Sequence, residues 1–275
     1  MIIQMSDLND ERFGRFGNQL FKFFFLKIIE NELKAEIRYS NWLGNIAFNI
    51  KESPPIQSTD NILAFDPSQT WTLNRALEAI RNLDCAVIDI KGFFQFHTAE
   101  LHPYIELFHN TFKVIPELKT KIFEALNNSI YKNKNIISVH LRRGDYLGYE
   151  DNPLFWTTSI KSIVDGLKYI KSSGFRNELI YLASDDISFC KNQFELEGIE
   201  HITADNLFSF NDEGSRLLVD FTIFSIACAN IISNSSLSFF GSLLNKHSQI
   251  FLRPLPNTEV LAPFAPWNSA VLLRK

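Results

Sequence analysis

Asn135-Ile136-Ile137-Ser138-Val139-His140-Leu141-Arg142-Arg143-Gly144-Asp145-Tyr146 is the stretch on which the fold turns. Residues 136–139 are short and nearly all apolar, which is how a strand buried on both faces reads. Similar runs recur at 179–182, 199–203, 229–232 and 250–252. Helical patterns alternate with them at about 158–171, 187–197, 213–228 and 237–245. Alternation of short apolar strands with amphipathic helices predicts a doubly wound parallel sheet covered on both faces.

Toward the N-terminus the pattern is less regular. Residues 2–4 suit a buried strand, and Phe21, Phe24, Phe25, Ile28 and Ile29 share one helix face. Residues 35–39 and 86–90 suit further strands. Residues 40–75, with Pro54-Pro55 and Asp66-Pro67, read as loop-rich, and Pro116 opens a helix to about residue 131. The 26 phenylalanines fall mostly at core spacing and read as packing. The expected organisation is α/β throughout, with an N-terminal lobe over 1–133 and a nucleotide-binding lobe over 134–275. The Asn/Lys-rich stretch 132–135 is the expected seam.

Composition narrows the function. With 27 Lys+Arg against 31 Asp+Glu the net charge is −4, so nothing global suits a nucleic acid. Any polyanion must be small and met by a local cluster. The three cysteines, Cys85, Cys190 and Cys228, are scattered and odd in number, which argues against a disulfide framework and fits a reducing compartment. The N-terminus shows no secretory pattern, and no apolar run reaches the ~18 residues of a membrane span. These features predict a soluble, cytoplasmic protein, with peripheral membrane contact still open.

Four segments carry chemistry. The loop His140 to Tyr146 follows a strand end, where open parallel sheets bind ligands. Two adjacent guanidiniums call for an anion, and Arg grips phosphate bidentately; a salt-bridged surface turn is the competing reading. Ser233-Asn234-Ser235-Ser236 leads from a strand end into a helix, as an anion site or an ordinary cap. Ser184-Asp185-Asp186 could bind a metal, act as base or cap a helix, with capping the expected role for one acid. Gly14-Arg15-Phe16-Gly17-Asn18-Gln19 opens the Phe-rich helix without a dinucleotide fingerprint. Asp220, set among Leu218, Val219, Phe221 and Ile223, needs a partner: a guanine edge, an Arg or a capping backbone. The six histidines show no metal-ligand spacing, and His97 and His102 read as packing or surface residues.

Taken in order, Gly-Arg-Phe-Gly-Asn-Gln-Leu-Phe, His-x-Arg-Arg-Gly-Asp-Tyr, Ser-Asp-Asp and Asn-Ser-Ser-x-Ser-Phe-Phe-Gly resemble the α-1,2-fucosyltransferases over nearly the whole chain. Phe239-Phe240 stands where that family often has two tryptophans. The resemblance implies a GT-B-like fold of two Rossmann-like lobes, GDP-fucose as donor, a glycan hydroxyl as acceptor on the N-terminal lobe, inversion at the anomeric carbon, and no essential metal or other cofactor. It implies Arg142 as the catalytic cation on the β-phosphate. Arg143 would orient the loop or share the charge. His140 and Asp220 would read guanine, Ser235 and Ser236 would hold phosphate, and Asn18 and Asp185 would line the GDP-fucose site. Asp145, set beside Arg142 as a catalytic residue, Glu150 and Asp185 are the candidate bases, and the sequence does not single one out. Two other readings stand beside this: a catalytically silent nucleotide-sugar or glycan-binding protein, and a GT-B transferase with another nucleotide-sugar.

Overall fold

The structure is a computed structural model that describes residues 1–58, 61–64, 72–149 and 151–275. The chain forms two compact units, Met1–Ile115 with Trp267–Ala270, and Pro116–Pro266 with Val271–Lys275. In the first unit the elements run β1 (Ile2–Met5), α1 (Phe16–Leu33), β2 (Glu36–Tyr39), α2 (Leu43–Ala47), β3 (Ile62–Ala64), α3 (Leu73–Arg81), β4 (Val87–Lys91) and α4 (Ile105–Thr111). The strands make a parallel sheet in the order β2-β1-β4-β3. The loop-rich 40–75 stretch holds the short α2 and β3 and the start of α3. Asp66-Pro67 lies outside the described residues.

Helix α1 departs from its expected single apolar face. Phe16, Leu20, Phe23 and Leu26 are buried together with Phe21, Phe24, Phe25, Ile28 and Ile29. The reason is that neighbours cover it on several sides: Phe23 meets Tyr39 and Trp42, Phe24 meets Phe108, and Phe25 stacks on Phe94. A helix apolar all round is a buried helix.

The second unit continues with α5 (Pro116–Asn127), β5 (Asn135–Leu141), α6 (Ile160–Ser172), β6 (Glu178–Ser184), α7 (Ile187–Leu196), α8 (Glu213–Ile226), β7 (Ala229–Ile231), α9 (Ser236–Leu244), β8 (Ile250–Pro254) and β9 (Leu261–Pro263). Helix α5 stops at Asn127, short of 131. The boundary falls at 115/116 rather than 133/134, because α5 buries Ile122 and Leu126 in the core of this unit. The Asn-rich stretch is instead a turn before β5, tied by Asn177 Nδ2 to Asn133 O at 2.7 Å.

Its sheet has the order β6-β5-β7-β8-β9, parallel except for β9, which pairs antiparallel with β8. Strand side chains alternate in facing. Ile137, Val139 and Leu141 join Ile163, Ile170 and Phe194 on one face. Ile136 joins Leu126, Ile223 and Phe224 on the other. Residues 199–203 do not form the expected strand. Ile202 alone bridges Tyr181 at the sheet edge, with Leu182 N–H donating to Ile202 O and Ile202 N–H to Ile180 O. After β5 the chain goes first to β6 on one side, then to β7 on the other. The carboxyl ends of β5 and β7 therefore flank a topological switch point, the place where such sheets open a crevice.

One ionic contact organises the first unit. Lys22, on α1, is fully buried and its Nζ donates to Asp7 Oδ1 at 3.0 Å and to the carbonyls of Asp7 and Phe13 at 3.3 Å. Burial pulls the ammonium pKa below its usual value despite the Asp7 charge. The lysine ties the β1–α1 loop onto the helix from within. Lys22→Met leaves Asp7 buried with Lys91, 4.0 Å away, as its remaining cation among the described residues, and should cost about 3–5 kcal/mol. The double variant Asp7→Leu/Lys22→Met should recover much of that loss in a denaturant titration; equal midpoints for Lys22→Met and wild type would show that the pair does not hold the loop.

Candidate active site

Three chain segments meet at the carboxyl ends of β5, β6 and β7. Ser233 links two of them: its Oγ donates to His140 O at 2.6 Å and accepts from Arg142 N–H at 2.8 Å. Asp185, just past β6, supplies the third link. Its Oδ1 accepts from Arg143 N–H at 2.8 Å and Gly144 N–H at 3.1 Å. A side chain at 144 would put its Cβ 2.8 Å from Asp185 Oδ2, so glycine is what allows this approach. Burial pushes the Asp185 pKa up, but the Arg143 N–H, the Arg142 charge and the Gly144 N–H together bring it below the usual carboxylate value.

The two arginines diverge. Arg142 Nη2 donates to Asp145 Oδ2 at 2.7 Å, its Nε lies 3.2 Å from Asp185 Oδ2, and its plane sits 5.5 Å from the Tyr146 ring. Its Nη1 makes no hydrogen bond to a described residue. Arg143 turns toward α7, with its guanidinium 3.7 Å from the Phe189 ring and Nε 3.5 Å from Asp186 Oδ2. Each guanidinium thus has its own carboxylate, and Arg143 anchors the loop. The expectation that one acid of Ser184-Asp185-Asp186 caps the next helix fails. Asp186 stands at the α7 N-cap without a side-chain cap bond, while Asp185 is drawn away by the two loop N–H groups. Glu150 lies outside the described residues.

His140 is buried, with Nδ1 at 2.8 Å from Ser238 Oγ and its ring 5.3 Å from Phe224. Burial first, then the Arg142 charge, lowers its pKa to about 3, so it is neutral near pH 7. Ser235 is the N-cap of α9 and Ser236 its first residue, which puts both at the positive end of the helix dipole beside the arginine loop. Gly241 lets α9 approach α8, since a Cβ there would lie 2.6 Å from Phe224 Cβ.

Asp220, on α8, has a partner the sequence did not suggest. Tyr181 Oη donates to its Oδ1 at 2.5 Å. Burial pushes the Asp220 pKa up to about 7 against the pull of that hydrogen bond. Tyr181 was hidden because it sits in a strand that reads as uniformly apolar. Residue type and spacing do not show what Ser233 and Asn234 bind: Asn234 Nδ2 donates to Leu154 O and Leu273 O, and Tyr146 Oη donates to Asn234 O. Asn18 belongs to the first unit, where its Oδ1 accepts from Gln95 Nε2 at 2.6 Å. His102 Nε2 meets Trp267 O at 2.5 Å, a packing role.

Residues 8–265 match the sequence profile of Glycosyl transferase family 11. The chain belongs to that family. This family 11 chain is 30% identical over 148 residues to an alpha-1,2-colitosyltransferase of Escherichia coli. The match covers 50% of this chain and 47% of the relative, about half its length. Among solved structures it resembles NodZ, an alpha-1,6-fucosyltransferase soaked with GDP-fucose, at 12% identity and TM-score 0.52, covering 96% and 98% of the two chains. POFUT1 in complex with GDP-fucose is similar at 12% identity and TM-score 0.54, over 92% and 97%. NodZ from Bradyrhizobium gives 11% and 0.55, over 96% and 98%. At such identities the likeness is one of fold, the expected GT-B-like pairing of two parallel-sheet units. No helix among the described residues is long and apolar enough to cross a membrane.

The depressed Asp185 pKa has a consequence for stability. The carboxylate stabilises the native family 11 fold above its unfolded pKa near 3.9, and that stability is lost as pH falls through the lower native value. Asp185→Asn should therefore melt below wild type at pH 6–8, and the gap should close below about pH 4. A gap independent of pH across that range would mean the charge of Asp185 does not hold the loop.

Proposed function

We propose that this protein transfers fucose from GDP-fucose to a glycan hydroxyl with inversion, forming an α-1,2 linkage. The observation that carries the reading is Arg142, fixed between Asp145 and Asp185 at the switch point with Nη1 open and the α9 N-terminus alongside. Negative charge builds on the departing β-phosphate as the glycosidic bond breaks. Cationic donors already in place stabilise it without reorganising. Arg142 would take the β-phosphate, Ser235 and Ser236 would present hydroxyls and helix N–H groups to the diphosphate, and Asp145 would position Arg142. Because the Arg142 guanidinium and a helix terminus supply positive charge, the transfer is proposed to need no metal. His140 and Asp220 would face the guanine, and Asn18 would contribute to the GDP-fucose site. The colitosyltransferase relative makes colitose the competing donor sugar, and the cell's cytoplasm is the proposed compartment.

GDP release from GDP-fucose in the presence of EDTA, with GDP-colitose in parallel, tests the reading. Arg142→Lys keeps the charge and loses the planar fork, and the rate should fall about a hundredfold, the scale of one lost transition-state donor. Near-normal turnover by a folded Arg142→Lys protein, or activity that returns only when Mg²⁺ or Mn²⁺ is added, would overturn that part of the mechanism.

Asp220 gives a pH signature. Guanine N1–H and N2–H₂ need the carboxylate form, which predominates above about pH 7 in the native protein. The affinity for GDP-fucose, whose diester-like phosphates do not titrate in this range, should fall about tenfold between pH 8 and pH 6. Asp220→Asn should bind weakly and without that slope in calorimetry. A slope that persists in the variant would take Asp220 off the base site.

A further inference from the structure

The segment beyond the arginine pair carries side chains that the donor chemistry does not use. A short turn, Asp145–Gly148, delivers Tyr149 to the surface, 56% exposed. The Tyr149 ring lies 5.5 Å from Phe155, which stacks on Tyr146 at 5.0 Å, and Tyr146 faces the Arg142 guanidinium at 5.5 Å. A continuous row of ring contacts therefore leads from the proposed catalytic cation to an exposed aromatic. Beside that ring is a shallow hollow of about 440 Å³ lined by Gly148, Tyr149, Asp151, Asn152 and Pro153. Its size lies in the range of small-molecule sites.

The polar groups in the hollow are of two complementary kinds. Asn152 is held from both ends: its N–H donates to Tyr149 O at 2.9 Å, and its Oδ1 accepts from Leu154 N–H at 2.9 Å. Its Nδ2 makes no hydrogen bond to a described residue, so a fixed amide donor is on offer. Asp151 is exposed and likewise bonds no described residue, and its carboxylate is an acceptor. A carboxylate here repels a diphosphate and suits a neutral polyol. A pyranose matches the set, because its hydroxyls both donate and accept, while one ring face presents C–H groups to the electron-rich face of an aromatic.

We propose that the Tyr149 hollow is an acceptor subsite that holds one pyranose ring, with Asp151 and Asn152 Nδ2 taking its hydroxyls. The proposal rests on the glycosyl-transfer reading above, and its test separates the two. The full chain, saturated with GDP, is titrated with the methyl β-glycosides of galactose, glucose and N-acetylglucosamine, and binding is followed by saturation-transfer NMR. At least one glycoside should take up saturation, strongest on the C–H face of its ring. Tyr149→Phe should preserve the signal, Tyr149→Ala should weaken affinity about tenfold, the scale of one aromatic contact, and Asp151→Ala should weaken it several-fold. GDP affinity and melting temperature, measured on the same samples, should be unchanged by all three substitutions. No saturation on any of the three glycosides, or equal binding by wild type and Tyr149→Ala, overturns the proposal. Failure to bind GDP with glycoside binding intact would instead overturn the donor reading and leave the hollow standing.

Discussion

Two main-chain N–H donors, of Arg143 and Gly144, and the charge of the Arg142 guanidinium converge on the carboxylate of Asp185. That convergence shapes the loop after β5. Without it, two consecutive cations would lie at a strand end with main-chain donors unpaired, and nothing would fix the direction of either side chain. With it, Arg142 and Arg143 part, one toward Asp145 and the crevice, the other across Phe189 to Asp186. The carboxylates of Asp145, Asp185 and Asp186 outnumber the two guanidiniums, so the loop is not a diffuse basic patch. What the geometry presents to a ligand is one guanidinium edge and one helix terminus, both preorganised.

The rest of the second unit serves that arrangement. Ser233 stitches the ends of β5 and β7 across the switch point, and Ser238 holds His140 from α9. Asn234 gathers the tail at Leu273 and the 154 region into the same knot. The glycine at 241 brings α9 close to α8, which sets where the α9 N-terminus points. Two ionisable groups on this face are displaced in opposite senses: burial holds His140 neutral and leaves Asp220 titrating near neutrality. Neither state follows from residue type.

The first unit uses a different device. Its sheet is small and its longest helix is buried on several sides, so the loop leaving β1 cannot be held by surface contacts alone. A lysine inside the core bonds Asp7 and two loop carbonyls. Nearby, Ser6 and Lys91 cluster about Asp89, with Ser6 Oγ donating to Asp89 Oδ2 at 2.6 Å. Polar order at the carboxyl end of this sheet is therefore carried by a connected network, which is costly to disrupt piecemeal.

Much of the fold was legible from period and composition alone. The apolar runs at 136–139, 179–182, 229–232 and 250–252 are strands, because a strand buried on both faces is mostly apolar and its few polar residues must pair, as Asn230 does with Ser138. The alternating helices follow, and with them the doubly wound sheet. The run at 199–203 misled, since apolar residues also line a sheet edge where only one of them pairs. The seam misled too, because a polar stretch marks a turn whether or not a domain ends there, and the burial of Ile122 and Leu126 decided the boundary. In the site, the motif residues named the chemistry: paired arginines, a serine turn before a helix, an acid pair. Which arginine faces the crevice, that Asp185 holds the loop rather than capping α7, and that Tyr181 meets Asp220 were decided by strand order and register. Sequence spacing determines which residue types lie at the strand ends. Only the tertiary structure brings three such ends together, because β5, β6 and β7 are separated along the chain by whole helices and meet only through the hydrogen bonds of the sheet.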